Sequence, residues 1–210
     1  MKLTIFGATG GTGRHLVDQA LALGHHVTAV VRDPGRLPQA DHPRLEPVTA
    51  DVMNADAITA TVTGRDAVIS ALGPRPGTTG SVCADGSRAI ITAMRAAGTR
   101  RLIVITASGH VVDQGDGPAS RLLVKPLLRR FLRDGFADFA RTDEAVRTSG
   151  LDWTIMRPPR LTDGERRPYR TSTDRNVRGG ITIARADLAH ATLGALTDPA
   201  TVGHGISLGY

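Results

Sequence analysis

The sequence predicts an α/β fold, a doubly wound, mostly parallel sheet with helices on both faces. Three observations carry this expectation. Short, near-continuous apolar runs such as HVTAVV (26–31) and RLIVIT (101–106) recur along the chain. Such runs are typical of strands buried on both faces. Helix-length segments separate them, the alternation that builds parallel sheets. The 210 residues show no fixed-period repeat and no linker, a length that suits one core.

Taken in order, Leu3–Phe6 reads as a buried strand and Gly13–Leu23 as the helix behind it. His26–Val31 is a second strand of β-branched residues, and Arg44–Thr49 a weaker third. Asp56–Val62 fits a short helix and Ala67–Ala71 a fourth strand. Ser81–Ala97 is a helix stopped by Gly98, and Arg101–Thr106 a fifth strand. A helix around Phe136–Thr148 ends at Gly150. Trp153–Met156 is a sixth strand, Ala186–Leu196 a late helix and Ile206–Leu208 a last strand. Two stretches read as loops of the kind that bind or cover ligands: Gly109–Ser120, rich in Gly and Asp, and the polar Thr162–Gly180 with its five arginines, Arg166, Arg167, Arg170, Arg175 and Arg178.

Composition narrows the function. The net charge is +6, and of the 26 basic residues only Lys2 and Lys125 are lysines. A positive balance suits an anionic ligand, nucleic acid or a membrane surface. No interleaved aromatic–basic run, helix-turn-helix or zinc motif supports nucleic acid. The best basic segment, Arg121–Arg133, carries an apolar face formed by Leu122, Leu123, Leu127, Leu128, Phe131 and Leu132. That face more simply packs on the core or on a second copy, which leaves homo-oligomerisation open. No apolar run is long enough to span a membrane. With one cysteine, Cys83, and a strand directly at the N-terminus, the expectation is a reducing, cytoplasmic setting. No metal site is expected.

The most informative motif follows the first strand: Gly7-Ala8-Thr9-Gly10-Gly11-Thr12-Gly13. Gly7 suits a tight turn, Gly10 a close approach of backbone to a pyrophosphate, and Gly13 close packing of helix on strand. The helix behind the loop points free N–H groups and the positive end of its dipole at the phosphates. Strand, loop, helix and a second strand ending about 20 residues on give the Rossmann context for a dinucleotide. The end of that second strand selects the cofactor. Arg32 and nearby Arg36 suit a ribose 2′-phosphate and hence NADPH, whereas Asp33 facing the ribose would suit NADH.

The opening KLTIFGATGGTGRHLVDQALALGHHVTAVVRDPGRL resembles the atypical short-chain dehydrogenase/reductases with a GxxGxxG loop. Within them it is similar to the biliverdin reductase B (flavin reductase) group and to NmrA-like NAD(P)H-binding proteins. The likeness continues through ADVMNADAITATVTGRDAVISALG, GSRAIITAMRAAGTRRLIVITAS, RTSGLDWTIMRPPRLTDG and ITIARADLAHATLGAL, which together cover essentially the whole chain. The resemblance implies a single NAD(P)-binding Rossmann domain over residues 1–210, with a substrate-side portion from about residue 157 onward. It implies cofactor contacts at Gly7 to Gly13, Arg32 and Arg36, at Asp51 and Val52 near the adenine, and at Leu72 and Gly73 near the ribose and pyrophosphate. At the nicotinamide end it implies Thr106, Ala107, Pro158, Arg160 and Leu161.

Other branches of that superfamily use a Tyr-x-x-x-Lys pair as proton donor. Neither tyrosine here, Tyr169 or Tyr210, precedes a lysine in that way. Hydride transfer to a flavin, quinone or similar planar acceptor needs no such acid, because the proton can come from water. Candidate polar groups at the reacting end are Thr106, Ser108 and His110, His110 as a general acid. The sequence departs from the flavin reductase group at Ala107, Arg160 and Phe139, which puts a tetrapyrrole substrate in doubt. The competing expectation is a non-catalytic NAD(P)H sensor of the NmrA-like kind.

Overall fold

A computed structural model describes residues 1–38, 40–73, 80–113 and 133–210. The first strand, β1 (Lys2–Phe6), pairs in parallel with β2 (His26–Val31) on one side and β4 (Ala67–Ser70) on the other. β3 (Leu45–Thr49) lies outside β2, while β5 (Arg101–Ile105) and β6 (Asp152–Arg157) extend the sheet beyond β4. β10 (His204–Gly209) adds to β6 in parallel, and β8 (Arg170–Thr173) closes the edge antiparallel to β10. The order is therefore β3-β2-β1-β4-β5-β6-β10-β8. A separate parallel pair joins β7 (Arg160–Thr162) to β9 (Thr182–Ala184).

Alternation along β1 shows why two layers of helices are needed. Leu3 and Ile5 are fully buried in one apolar cluster and Phe6 in the other. The first cluster is built with α1 (Gly11–Ala22) and α5 (Arg185–Gly194), through Leu16, Val17, Leu188 and Leu193. The second takes Ile58 from α2 (Ala55–Val62), Ile90 and Met94 from α3 (Val82–Ala97) and Val146 from α4 (Arg133–Arg147). Thr4, on the Phe6 face, keeps its hydroxyl satisfied by donating to the Thr61 carbonyl at 2.5 Å.

The helix ends are managed with unequal means. Asn54 caps α2 by accepting from the N–H groups of Asp56 and Ala57. α3 has no cap from its own Ser81. Instead the buried Asp138 of α4 accepts from the backbone N–H groups of Cys83 and Ala84, at 2.9 and 3.0 Å. That carboxylate satisfies two orphan donors and complements the helix dipole. Burial, reinforced by the Asp138 charge beside it, pushes the Cys83 thiol up to about 12, so it is a buried neutral group rather than a reactive one.

Two corrections to the sequence expectations concern this architecture. Thr162–Gly180 is not simply a loop, because it contains the edge strand β8. α1 begins at Gly11, two residues before the expected Gly13, which brings the helix N-terminus into the glycine loop itself. The Arg121–Arg133 segment lies outside the described residues except for its last residue, and residues 114–120 of the expected Gly109–Ser120 loop lie wholly outside them. Among the described residues no helix is long and apolar enough to cross a membrane, and no cluster of His, Cys, Asp and Glu could hold a metal ion.

Candidate functional site

The site is a cleft of about 1080 Å³ beyond the carboxyl ends of β1, β2, β4 and β5. β1 sits where the strand order reverses, with β2 and β3 to one side and β4 onward to the other. Ligands of open α/β sheets bind at such a switch point.

The floor is the glycine loop. Gly7 has φ +76°, a left-handed conformation, and a Cβ there would lie 2.5 Å from the Ala71 carbonyl oxygen. A Cβ on Gly13 would strike the Gly7 carbonyl oxygen, so the helix can approach the strand this closely only without a side chain. Gly10 donates to the Gly7 carbonyl at 3.0 Å and opens α1 with no side-chain cap. No acidic residue lies in the first turn. The leading N–H groups and the positive helix end thus face a cleft lined by Gly7, Thr9, Gly10, Gly11 and Thr12, a cradle that fits a pyrophosphate.

One wall carries positive charge. Arg32, after β2, and Arg36, after the 3-10 turn Pro34–Arg36, both line the cleft and are exposed. Asp33 does not line it. Its carboxylate caps that turn by accepting from the Gly35 N–H at 3.0 Å. Asp51 and Val52 also line this end, and Asp51 holds its own turn by accepting from the Met53 N–H at 3.0 Å. Leu72 and Gly73 line the centre.

At the far end stand Ile105, Thr106, Phe139 and Leu161. Thr106 is anchored by its N–H to the Met156 carbonyl at 2.9 Å. Its buried Oγ1 has no hydrogen-bond partner among the described residues. Ser108 lies outside the lining, with its N–H donating to the Pro158 carbonyl at 2.8 Å. That bond ties the exits of β5 and β6 together.

His110 stands differently from the expected general acid at the mouth. Its side chain is only 7% exposed and does not line the cleft. Its Nε2 lies 3.1 Å from Asp143 Oδ2, the oxygen that accepts from Arg157 Nη2 at 2.6 Å. Its ring is 6.2 Å from that of Phe139, so it sits one ring removed from the cleft. Burial alone would raise the Asp143 pKa. The His110 hydrogen bond and the Arg157 charge outweigh it and hold the carboxyl below its ordinary range. Asp143 and Arg157 come from α4 and β6, and no local pattern around His110 announces them.

Of the residues named from the sequence, Ala8, Gly13, Ala107, Pro158 and Arg160 also fall outside the lining. Ala8 and Gly13 are buried beneath the loop, and Arg160 is exposed on β7. Neither tyrosine lines the cleft. Tyr169 bonds the His190 ring at 2.9 Å, and Tyr210 donates to Asp187 at 2.5 Å. The charged cleft residue that the sequence reading missed is Arg185, the first residue of α5, which folds across Gly11.

The NAD(P)H-binding family profile matches residues 7–199. The uncharacterised protein YwnB of Bacillus subtilis is 28% identical over 207 residues, 95% of this chain and 93% of its own. A 3-diazoavenalumate denitrifying reductase from Streptomyces is 32% identical over 127 residues, but this spans 55% of this chain and only 40% of the reductase. A short-chain dehydrogenase/reductase from Veillonella parvula, solved in complex with NADP, shares the fold with a TM-score of 0.84 at 20% identity, covering 100% of this chain and 94% of that one. With a dinucleotide cradle at the switch point of a Rossmann-type sheet and a family match over nearly its whole length, the chain belongs to the NAD(P)H-binding family.

Proposed function

We propose that this protein is an NADPH-dependent reductase that passes hydride to a flavin, quinone or similar planar acceptor without a Tyr-Lys pair. The observation that carries the cofactor choice is the opposed fate of two neighbours. Arg32 lines the cleft with Arg36, while Asp33 is spent on the turn at Gly35. A forked guanidinium suits a 2′-phosphate, whereas a carboxylate turned out of the cleft to cap the Gly35 turn is not placed to accept from a ribose hydroxyl there.

The acceptor class rests on the other end. Ile105, Phe139 and Leu161 give an apolar surface, and Thr106 Oγ1 offers a hydroxyl to whatever ring lies against it. The bound cofactor supplies a hydride; the acceptor gains it with one proton from water, leaving the dinucleotide oxidised. The chain's residues bind and orient both partners and exclude water from the apolar end. His110, held by Asp143, supports Phe139 from behind instead of transferring a proton. The buried neutral thiol of Cys83 suits a reducing, cytoplasmic setting.

The test is the loss of reduced-nicotinamide absorbance when purified protein is given NADPH and a panel of flavins and quinones. Turnover with at least one acceptor is the expected outcome. Tight NADPH binding with no turnover across the panel would contradict it and favour the NmrA-like sensor.

A further inference from the structure

Three arginines line the cleft among the described residues: Arg32 and Arg36 at the adenosine end, and Arg185 beside the glycine loop. Arg185 opens α5, and its position relative to α1 is set by helix packing. Leu16 and Val17 share an apolar cluster with Leu188 and Leu193, and Gln19 donates to the Ala186 carbonyl at 2.9 Å. The side chain lies so close over Gly11 that a Cβ there would come 2.7 Å from Nε and 2.8 Å from Cδ. It is 27% exposed, and its Nη1 pairs at 2.5 Å with Asp163 Oδ1, a carboxylate whose own side chain is 84% exposed.

This arrangement is electrostatically incomplete. A helix N-terminus favours anions, and the first turn of α1 holds no acidic residue. A guanidinium laid against that end adds a second positive charge to the first. Among the described residues the carboxylate paired with it is a solvated one in the segment after β7, and the pair uses one nitrogen of the fork. An exposed pair of that kind contributes little. An anion placed between the α1 N–H groups and the Arg185 fork would satisfy both at once.

We propose that Arg185 is a cofactor contact: it closes over the glycine loop from α5 and binds the pyrophosphate of the dinucleotide, with Asp163 holding it in place before the anion arrives. This rests on the dinucleotide reading of the cleft. The pyrophosphate is common to NADH and NADPH, so Arg185 adds affinity for both, whereas Arg32 discriminates between them.

Calorimetric titration of the purified chain with NADPH and with NADH tests it. Arg185→Gln is expected to raise both dissociation constants about tenfold, the loss of one charge-assisted contact. Arg185→Lys keeps the charge without the fork and is expected to raise both by about threefold. The thermal midpoint of the ligand-free protein separates binding from packing. If Arg185→Gln does not fold, the lysine variant decides: weaker binding of both dinucleotides at an unchanged midpoint supports the contact, and wild-type binding contradicts it. For a folded Arg185→Gln, affinities within about twofold of wild type, or a loss confined to NADPH, would overturn the proposal. Wild-type protein that binds neither dinucleotide would instead remove the reading on which it rests.

Discussion

At Gly13 there is no room for a side chain, because a Cβ would strike the Gly7 carbonyl oxygen. That contact is with backbone and cannot rotate away. Gly13→Ala therefore has to push α1 off β1, and an overpacked site of this kind costs about 1–3 kcal/mol. Denaturant unfolding should show a lower midpoint at unchanged slope, and dinucleotide affinity should fall with it because the displaced helix end forms the phosphate cradle. Unchanged stability would show that the loop relaxes freely. Residue-scale logic also governs Arg32 and Asp33, adjacent in sequence yet pointed to different tasks by the turn at Pro34–Arg36.

Among the elements, α4 does the most to hold the site's far end. Its Asp138 caps α3 in place of a local residue, its Phe139 lines the cleft, and its Asp143 gathers His110 and Arg157. Asp143 titrates below its ordinary value, so its ion pair stabilises the fold above the unfolded-state pKa of about 3.9. That stabilisation is lost as pH falls through the lower folded-state value. Asp143→Asn leaves Arg157 buried without its carboxylate, and breaking a buried pair this way costs about 3–5 kcal/mol near neutrality. Melting between about pH 5 and pH 2 should show the wild type losing more stability than Asp143→Asn, whose pair is already broken. The slope left in the variant belongs to other carboxyls held low, Asp152 and Asp174. Parallel acid limbs would contradict the role given to Asp143.

Across the whole molecule, the strand order gathers the glycine loop, Arg32, Leu72 and Thr106 at the carboxyl ends of the interior strands although they are spread over about half of the chain. Their cleft was legible in the sequence because each lies at the end of an apolar run, and the 7-10-13 glycine spacing is a local pattern. Arg185 was not legible, since it reaches Gly11 only through the packing of α5 on α1. The surroundings of His110 were not legible for a similar reason: its partners arrive from α4 and β6. The edge strand β8, RTST, escaped because a polar strand with one paired side lacks the apolar run that marks the interior strands. The measurement that bears most directly on the central claim is the pair of dissociation constants for NADPH and NADH in wild type and Arg32→Ala. NADPH should bind at least about tenfold tighter to wild type, and Arg32→Ala should erase that preference while leaving NADH within about twofold. Equal or tighter binding of NADH by wild type, or an equal loss of both in Arg32→Ala, would contradict it.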